Sequence, residues 1–436
     1  MPAEIGAGSN PSRVVILGIE HPRGVAAIQS LGRAGLRVVG VDHDPTALGF
    51  HSRYLKAKYR VEKDPQETLS FLDELGRDGG GMLMATNDDY LMLVAKNHER
   101  LSRSFVLTTP PWETLEPLMD VSRCYRMAQE IGIRTPNFYK AQTEAELRTI
   151  VQNLDLERHE FILKTTAGTA PADARTGRYT RVAPEDREGI EKVCLEIFAR
   201  AGEFPTIMQV VPGTADRCVG VCMAVGPDHE SRAVYSVRRL KLHTYSKGGK
   251  FVHPYEMGAN VFCESRHDEE AIDAATRFVR HAGYYGPMAL EFRRDPTDES
   301  LVLIKADVRF VRATNLSTAI GRDLPTAVHD AFSGRPAPPP RPYPDGVAWV
   351  WLSAYIETLW NKRSDRSLRR ELFALWKNLR LIRAAAFLDR RDLRPFLVSL
   401  RRCGRDWFRW RVSGLKQRFG AGKPSVGPGE GERAPG

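Results

Sequence analysis

The strongest constraint on this chain is a strand, helix, strand order compressed into residues 14–42. VVILGI at 14–19 is a short apolar run containing Gly18, and GVAAIQSLGRAG carries apolar residues at helical spacing up to Gly35. LRVVGVD at 36–42 returns as a second apolar run and ends in Asp42. Two buried strands joined by a helical crossover run parallel, so the chain opens with a βαβ unit. Gly18 and Gly24 are too sparse for a GxGxxG fingerprint, which makes a dinucleotide site the weaker reading.

The unit continues through a helix near 65–77 into GMLMAT at 81–86, which delivers Asn87, Asp88 and Asp89 to its carboxyl end. Ligands of open α/β sheets lie beyond the carboxyl ends of strands. These residues therefore either face a substrate or cap the following helix, YLMLVAKNHERL. Residues 109–139 combine turn prolines, an amphipathic helix and a stop at Gly132, and read as a boundary between domains. FILKTT (161–166), TIMQVVPG (206–213) and CVGVCMAV (218–225) read as strands, with a helix near 186–201. MALEFRRD (288–295) and LVLIKADVRF (301–310) form a hairpin joined by the turn-rich PTDES.

At 436 residues and 42% hydrophobic composition, two or three cores are expected. The divisions are a disordered stretch at 1–12, a first domain at 13–110, a body at 111–332, a Pro-rich linker at 333–346, a basic helical region at 347–420 and a disordered end at 421–436. The six cysteines are scattered without CxxC spacing, so they read as core residues of a protein in a reduced cytoplasm. No apolar run reaches spanning length; the longest candidate, GVAWVWLSAYIETLW at 346–360, is short and carries Glu357.

The net charge of +10 is not spread evenly. Residues 360–420 hold 18 Lys and Arg against 5 Asp and Glu, a local excess of +13 that leaves the rest at −3. No recognition module accompanies that charge, which argues against nucleic acid. Two readings of the basic region stand side by side. It is either a helical cap on the body with a solvated basic face, or a set of amphipathic helices lying against anionic lipid at the inner membrane face, with Trp360, Trp376 and Trp407 at the interface.

The block GPMALEFRRDPTDESLVLIKADVRFVRATNLSTAIGRDLP at 286–325 resembles the acidic strand, hairpin and closing Asp-hydrophobic-Pro of the carboxylate-amine ligase branch of the ATP-grasp superfamily. FILK at 161–164, MQVVPG at 208–213, the basic run at 238–241 followed by Gly248 and Gly249, and the boundary helix ending in GIRTP resemble it in the same order, over about residues 13–330. The resemblance implies a Rossmann-like pre-ATP-grasp domain, a two-lobed α+β ATP-grasp body and a basic helical C-terminal tail. It also implies formation of an acyl phosphate from a carboxylate and ATP, attack by an amine-like nucleophile, Mg2+ as cofactor, small-molecule substrates and a homodimer.

By the same resemblance, Lys164 contacts phosphates beneath a mobile flap at 165–177, and backbone groups of Gln209 and Val211 read the adenine edge. Arg238 and Lys241, with Arg239 between them, contact phosphate or the substrate carboxylate; Glu291 and Asp307 hold metal; Arg309 steadies the transferring phosphoryl group; and Asn315 is the polar residue after it. The chain departs from the family pattern at Val121, where a phosphate-binding lysine is usual, and at Val210, where a glutamate is usual. Lys305 stands where a second glutamate bridges two magnesium ions, and Asp307 where asparagine follows. A protonated lysine cannot coordinate magnesium, so either Glu291 and Asp307 hold one ion, or Lys305 takes the place of a metal.

Overall fold

The computed structural model describes residues 12–165, 180–182, 186–243, 259–336, 341–361, 373 and 379–405. The flap at 165–177 beyond Thr165, the glycines Gly248 and Gly249, the side chains of Trp360, Trp376 and Trp407, and the two expected disordered ends apart from Ser12 lie outside the described residues.

Five parallel strands build the first sheet: β1 (Arg13–Leu17), β2 (Arg37–Asp42), β3 (Leu55–Arg60), β4 (Gly81–Ala85) and β5 (Phe105–Leu107), in the order β3-β2-β1-β4-β5. The apolar run of β1 is continuous because both of its faces are covered. Val14 and Ile16 pack with Ile28 and Leu31 of the helix Pro22–Arg33, whereas Val15 and Leu17 pack with Leu69 and Leu72 of the helix Pro65–Arg77. The outer strand β3 carries the exposed Lys56 and Lys58, charges that blunt an open edge. Gly18 turns the chain off β1 at φ +81°, and a Cβ on Gly24 would stand 2.6 Å from the Gly18 carbonyl oxygen. These two glycines let the first helix start hard against the strand end.

Two antiparallel sheets follow. The smaller has β6 (Phe138–Tyr139), β7 (Phe161–Lys164), β8 (Thr180–Val182) and β9 (Thr206–Gln209), in the order β6-β9-β7-β8. Its core joins Phe161, Leu163 and Ile207 to Leu147 and Val151 of the helix Glu144–Gln152 and to Ile190 and Cys194 of the helix Arg187–Ala201. The larger holds β10 (Cys218–Val225), β11 (Ser231–His243), β12 (Ala259–Ser265), β13 (Gly286–Arg294) and β14 (Leu301–Asp307). The hairpin of β13 and β14 has the position expected from the sequence, with Glu299 in its turn at φ 58°. Apolar clusters run without a break from the first sheet into the larger one, linking Val15 to Val221 and Ile16 to Cys222.

The region after the Pro-rich segment corrects the expectation of a purely helical tail. β15 (Ala348–Val350) pairs with β12, and β16 (Ile382–Ala385) pairs with β15 in parallel, so the large sheet has the order β14-β13-β10-β11-β12-β15-β16. Short apolar runs among arginines find a sheet edge that local helical spacing does not reveal. The chain then fastens to the first domain. Asp392, 2% exposed, accepts from Ser52 Oγ at 2.5 Å and from the Arg53 backbone N–H at 3.0 Å, and Asp389 pairs with Arg33. The described cysteines are all free, five of the six buried, as expected of core residues. No helix among the described residues is long and apolar enough to cross a membrane.

Asn315 joins this addition to the body: its Nδ2 donates to the Ala385 carbonyl at 2.6 Å, and its Oδ1 accepts from Trp349 Nε1 at 2.6 Å. Trp349 is fully buried, so an Asn315→Leu substitution leaves a buried donor and acceptor without partners. Urea denaturation is expected to show a loss of about 2–4 kcal/mol; an unchanged midpoint would mean that the bridge contributes nothing.

Candidate functional site

The site is built where the large sheet meets the strand ends of the first domain. Glu291 on β13 lies opposite Gly220 on β10 and Lys305 on β14. Val237 is the β11 partner of Gly220, and Arg239, two residues further on, shares its face. Arg239 reaches across β10 on that face and meets Glu291 as a bidentate pair, Nη1 to Oε1 and Nη2 to Oε2, both at 2.5 Å.

The charges then alternate. Lys305 Nζ lies 3.4 Å from Glu291 Oε2 and 3.0 Å from Asp307 Oδ2. Arg309 Nη1 lies 3.5 Å from Asp307 Oδ1, and its Nε donates to Asp88 Oδ1 at 2.7 Å. Asp88 opens the helix Asp88–Lys96 beyond β4, so this chain of ion pairs ends in the first domain. Burial alone would raise the Glu291 carboxyl, but the Arg239 and Lys305 charges hold it below the usual carboxylate range. Burial likewise works against the Arg309 cation, and Asp88 and Asp307 more than offset it, so its guanidinium stays charged.

Of the two readings of the segment after β4, the helix cap is met. Asn87 is the helix cap, its Oδ1 accepting from the Tyr90 N–H at 3.0 Å, while Asp88 faces the site and Asp89 is exposed. Glu291, Asp307 and Arg309 come together as the sequence predicts. Arg238 faces the other way and pairs with Glu264 at 2.5 Å, because consecutive residues of a strand alternate faces. Lys241 follows a register shift in β11 and is buried. Lys164 ends β7 and Gln209 ends β9 in the smaller sheet; the Gln209 side chain meets Asn137 at 2.7 Å and His159 at 3.0 Å. The Val211 carbonyl accepts from Arg293 at 2.9 Å, and Asn315 sits apart, bonded to Trp349 and Ala385.

These residues do not fit a two-magnesium cluster. Both Glu291 oxygens accept from Arg239, Lys305 stands between Glu291 and Asp307, and no group of three or more His, Cys, Asp or Glu among the described residues could hold a metal. Magnesium needs several oxygen ligands, and an ammonium already neutralises the two on offer.

Three residues beyond the carboxyl end of β1 went unnoticed in the sequence: Glu20, His21 and Arg23. The Glu20 and Asp42 carboxyl groups lie close enough for each to shift the titration of the other. Burial raises the Asp42 carboxyl well above the usual range, and the Glu20 bond and charge add to it, although Asp42 also accepts from the Ile19 N–H at 2.6 Å and the Asp44 N–H at 2.9 Å. Burial would raise Glu20 too, but its bond to Asp42 and the His21 charge hold it low.

The sequence matches no protein-family model and no curated protein. Solved structures do match the fold. The chain is similar to N5-carboxyaminoimidazole ribonucleotide synthetase from Thermus thermophilus, at 18% identity and TM-score 0.54 over 74% of this chain and 79% of that one. It is similar to biotin carboxylase from Campylobacter jejuni, solved as a β-γ-ATP complex, at 13% identity and TM-score 0.56 over 77% and 74% of the two chains. It is also similar to L-amino acid ligase from Bacillus licheniformis, at 15% identity and TM-score 0.51 over 73% and 74%.

The raised Asp42 carboxyl has a measurable consequence. From about pH 4 upward to its raised folded value, Asp42 is protonated in the folded chain and ionised in the unfolded chain. Folding therefore takes up a proton, and stability falls as pH rises through that window, by up to about 1.4 kcal/mol per pH unit. Glu20 acts in the opposite sense only below its unfolded value. Asp42→Asn is expected to flatten the stability profile between pH 5 and about 7 in denaturant titrations; a slope equal to wild type would contradict the raised Asp42 carboxyl.

Proposed function

We propose that this chain, which has the ATP-grasp fold, is an ATP-dependent ligase that joins a small carboxylate to an amine or similar nucleophile through an acyl phosphate. The observation that carries this reading is the fixed row of cations Arg239, Lys305 and Arg309, each held by a carboxylate, at the junction of the two sheets. Phosphoryl transfer asks a protein mainly for positioning and for charge neutralisation, and cations fixed in advance cost no reorganisation as charge develops. The fold supports the same general class of reaction.

In this reading a carboxylate oxygen of the substrate attacks the γ-phosphorus of ATP. The bond to the bridging oxygen breaks, and ADP leaves with the electron pair. The nucleophile then adds to the acyl carbon, phosphate is expelled, and the nucleophile's proton passes to solvent. Arg309 is assigned to the transferring phosphoryl oxygens, and Arg239 with Lys305 to the negative charge beside them. Lys164 is assigned to the nucleotide phosphates and the backbone of Gln209 and Val211 to the adenine edge, with Lys241 as a further cation on β11. Arg238, committed to Glu264, yields the role of the basic run to Arg239. Glu291 and Asp307 spend their charge on cations of the chain itself, so no step runs through magnesium held between them.

One observation favours a second reading, a nucleotide-binding or scaffolding subunit without turnover: Arg239 closes both oxygens of Glu291. Thermal-shift titration with ADP and ATP, each with and without magnesium, is the first test. A nucleotide at a hundred times its Kd is expected to stabilise the chain by about 2.7 kcal/mol. Absence of any shift at millimolar nucleotide would sink both readings, and binding without ADP formation across a panel of carboxylates and amines would select the second. Lys305→Glu puts three carboxylates side by side. It is expected to lower stability by about 1–3 kcal/mol in chelator and to make magnesium stabilising where it was not.

A further inference from the structure

We propose that the cavity between the helix Pro22–Arg33 and the large sheet is an anion subsite, in which Arg23 with Arg309 and Arg312 holds a carboxylate or phosphate group of the substrate. The inference rests on the ligase reading for the identity of the ligand as a substrate, and on the geometry below for the site itself.

Arg23 is 5% exposed and lines a cavity of about 90 Å³ together with Arg309, Arg312, Lys305 and Glu291. Its Nε donates to the Thr86 carbonyl, and among the described residues no carboxylate pairs with it. Among the described residues no hydrogen bond engages the two terminal nitrogens of its guanidinium, and the residue lines the cavity. A guanidinium withdrawn from water is costly, and around this one the charges of Asp88 and Glu20 do not make up for burial and for two further guanidiniums as neighbours. Burial, then Arg309 and Arg312, push Arg23 down to about 9, a low value for an arginine. His21 at the helix cap is pushed down to about 4 by burial and then by Arg23. The helix adds to the same sign: no acidic residue occupies its first turn, and His21 offers it no side-chain cap.

Such a cluster is stabilised by an anion that takes up the donors left on Arg23. The planar fork of arginine matches the paired oxygens of a carboxylate or a phosphate. The cavity has room for several waters, hence for one such group rather than a whole substrate. Arg309 touches both this cavity and the ion-pair row, so a substrate anchored on Arg23 lies beside the cations assigned to phosphoryl transfer.

The test uses the full chain, with sodium phosphate and sodium malonate as probes at ionic strength held constant with sodium chloride. One or both probes are expected to raise the melting temperature saturably. Phosphate alone assigns a phosphate ester, malonate alone a carboxylate. Arg23→Gln is expected to weaken the effective probe at least tenfold, to melt no lower than wild type in anion-free buffer because it removes a repelled charge, and to bind ADP within twofold of wild type. A flat response to both probes in wild type, or an undiminished response in Arg23→Gln, overturns the subsite. Loss of ADP binding in wild type counts instead against the ligase reading. Should Arg23→Gln fail to fold, Arg23→Lys keeps the charge without the fork and is expected to weaken the probe severalfold; equal binding would overturn the proposal in the same way.

Discussion

Six charged side chains of alternating sign, Asp88, Arg309, Asp307, Lys305, Glu291 and Arg239, run from the end of β4 across the edge of the large sheet to its middle. A pair of unit charges about 4 Å apart near a protein surface is worth roughly 4 kcal/mol before the cost of removing both from water. In a row each interior charge has two partners, so loss of one member strands its neighbours in a poorly hydrated place. The row therefore decides several things together. It fixes the first domain against the large sheet, keeps Glu291 ionised, and sets Arg239, Lys305 and Arg309 in one line at the junction.

The rest of the architecture supports that row from both ends. The pairing of β11 with β10 and of β10 with β13 puts Arg239 on the face where it reaches Glu291, and Gly18 and Gly24 bring the first helix close enough for Arg23 to reach the same cavity. The C-terminal strands close the other end of the sheet, and Asp389 and Asp392 bind the chain after β16 back to Arg33 and Ser52 of the first domain. Arginines that read as a lipid-facing surface in the sequence include at least one, Arg402, that donates to the Thr46 carbonyl of the first domain.

What was legible in the sequence follows the range of the interactions involved. The βαβ opening and the β13–β14 hairpin announce themselves through apolar runs and turn residues, so Glu291, Asp307 and Arg309 fall where their strands put them. The choice of Arg239 over Arg238 depends on which face of β11 looks inward, which is set by pairing with β10 and β12 and by the register shift before Lys241. Arg23 looks like an ordinary residue at the start of a helix; its significance lies in Arg309 and Arg312, almost three hundred residues away along the chain. Asn315 has the right spacing for a ligand contact, yet its amide is committed to Trp349 and Ala385, partners that only the sheet extension brings near.

Lys305 lies between Glu291 and Asp307 and pairs with both. A crystal structure grown with ADP and manganese, with anomalous differences collected at the manganese edge, tests this directly. The account predicts no manganese peak bonded to either carboxylate and the Lys305 ammonium still between them. A peak ligated by both Glu291 and Asp307, with Lys305 swung away, would contradict it.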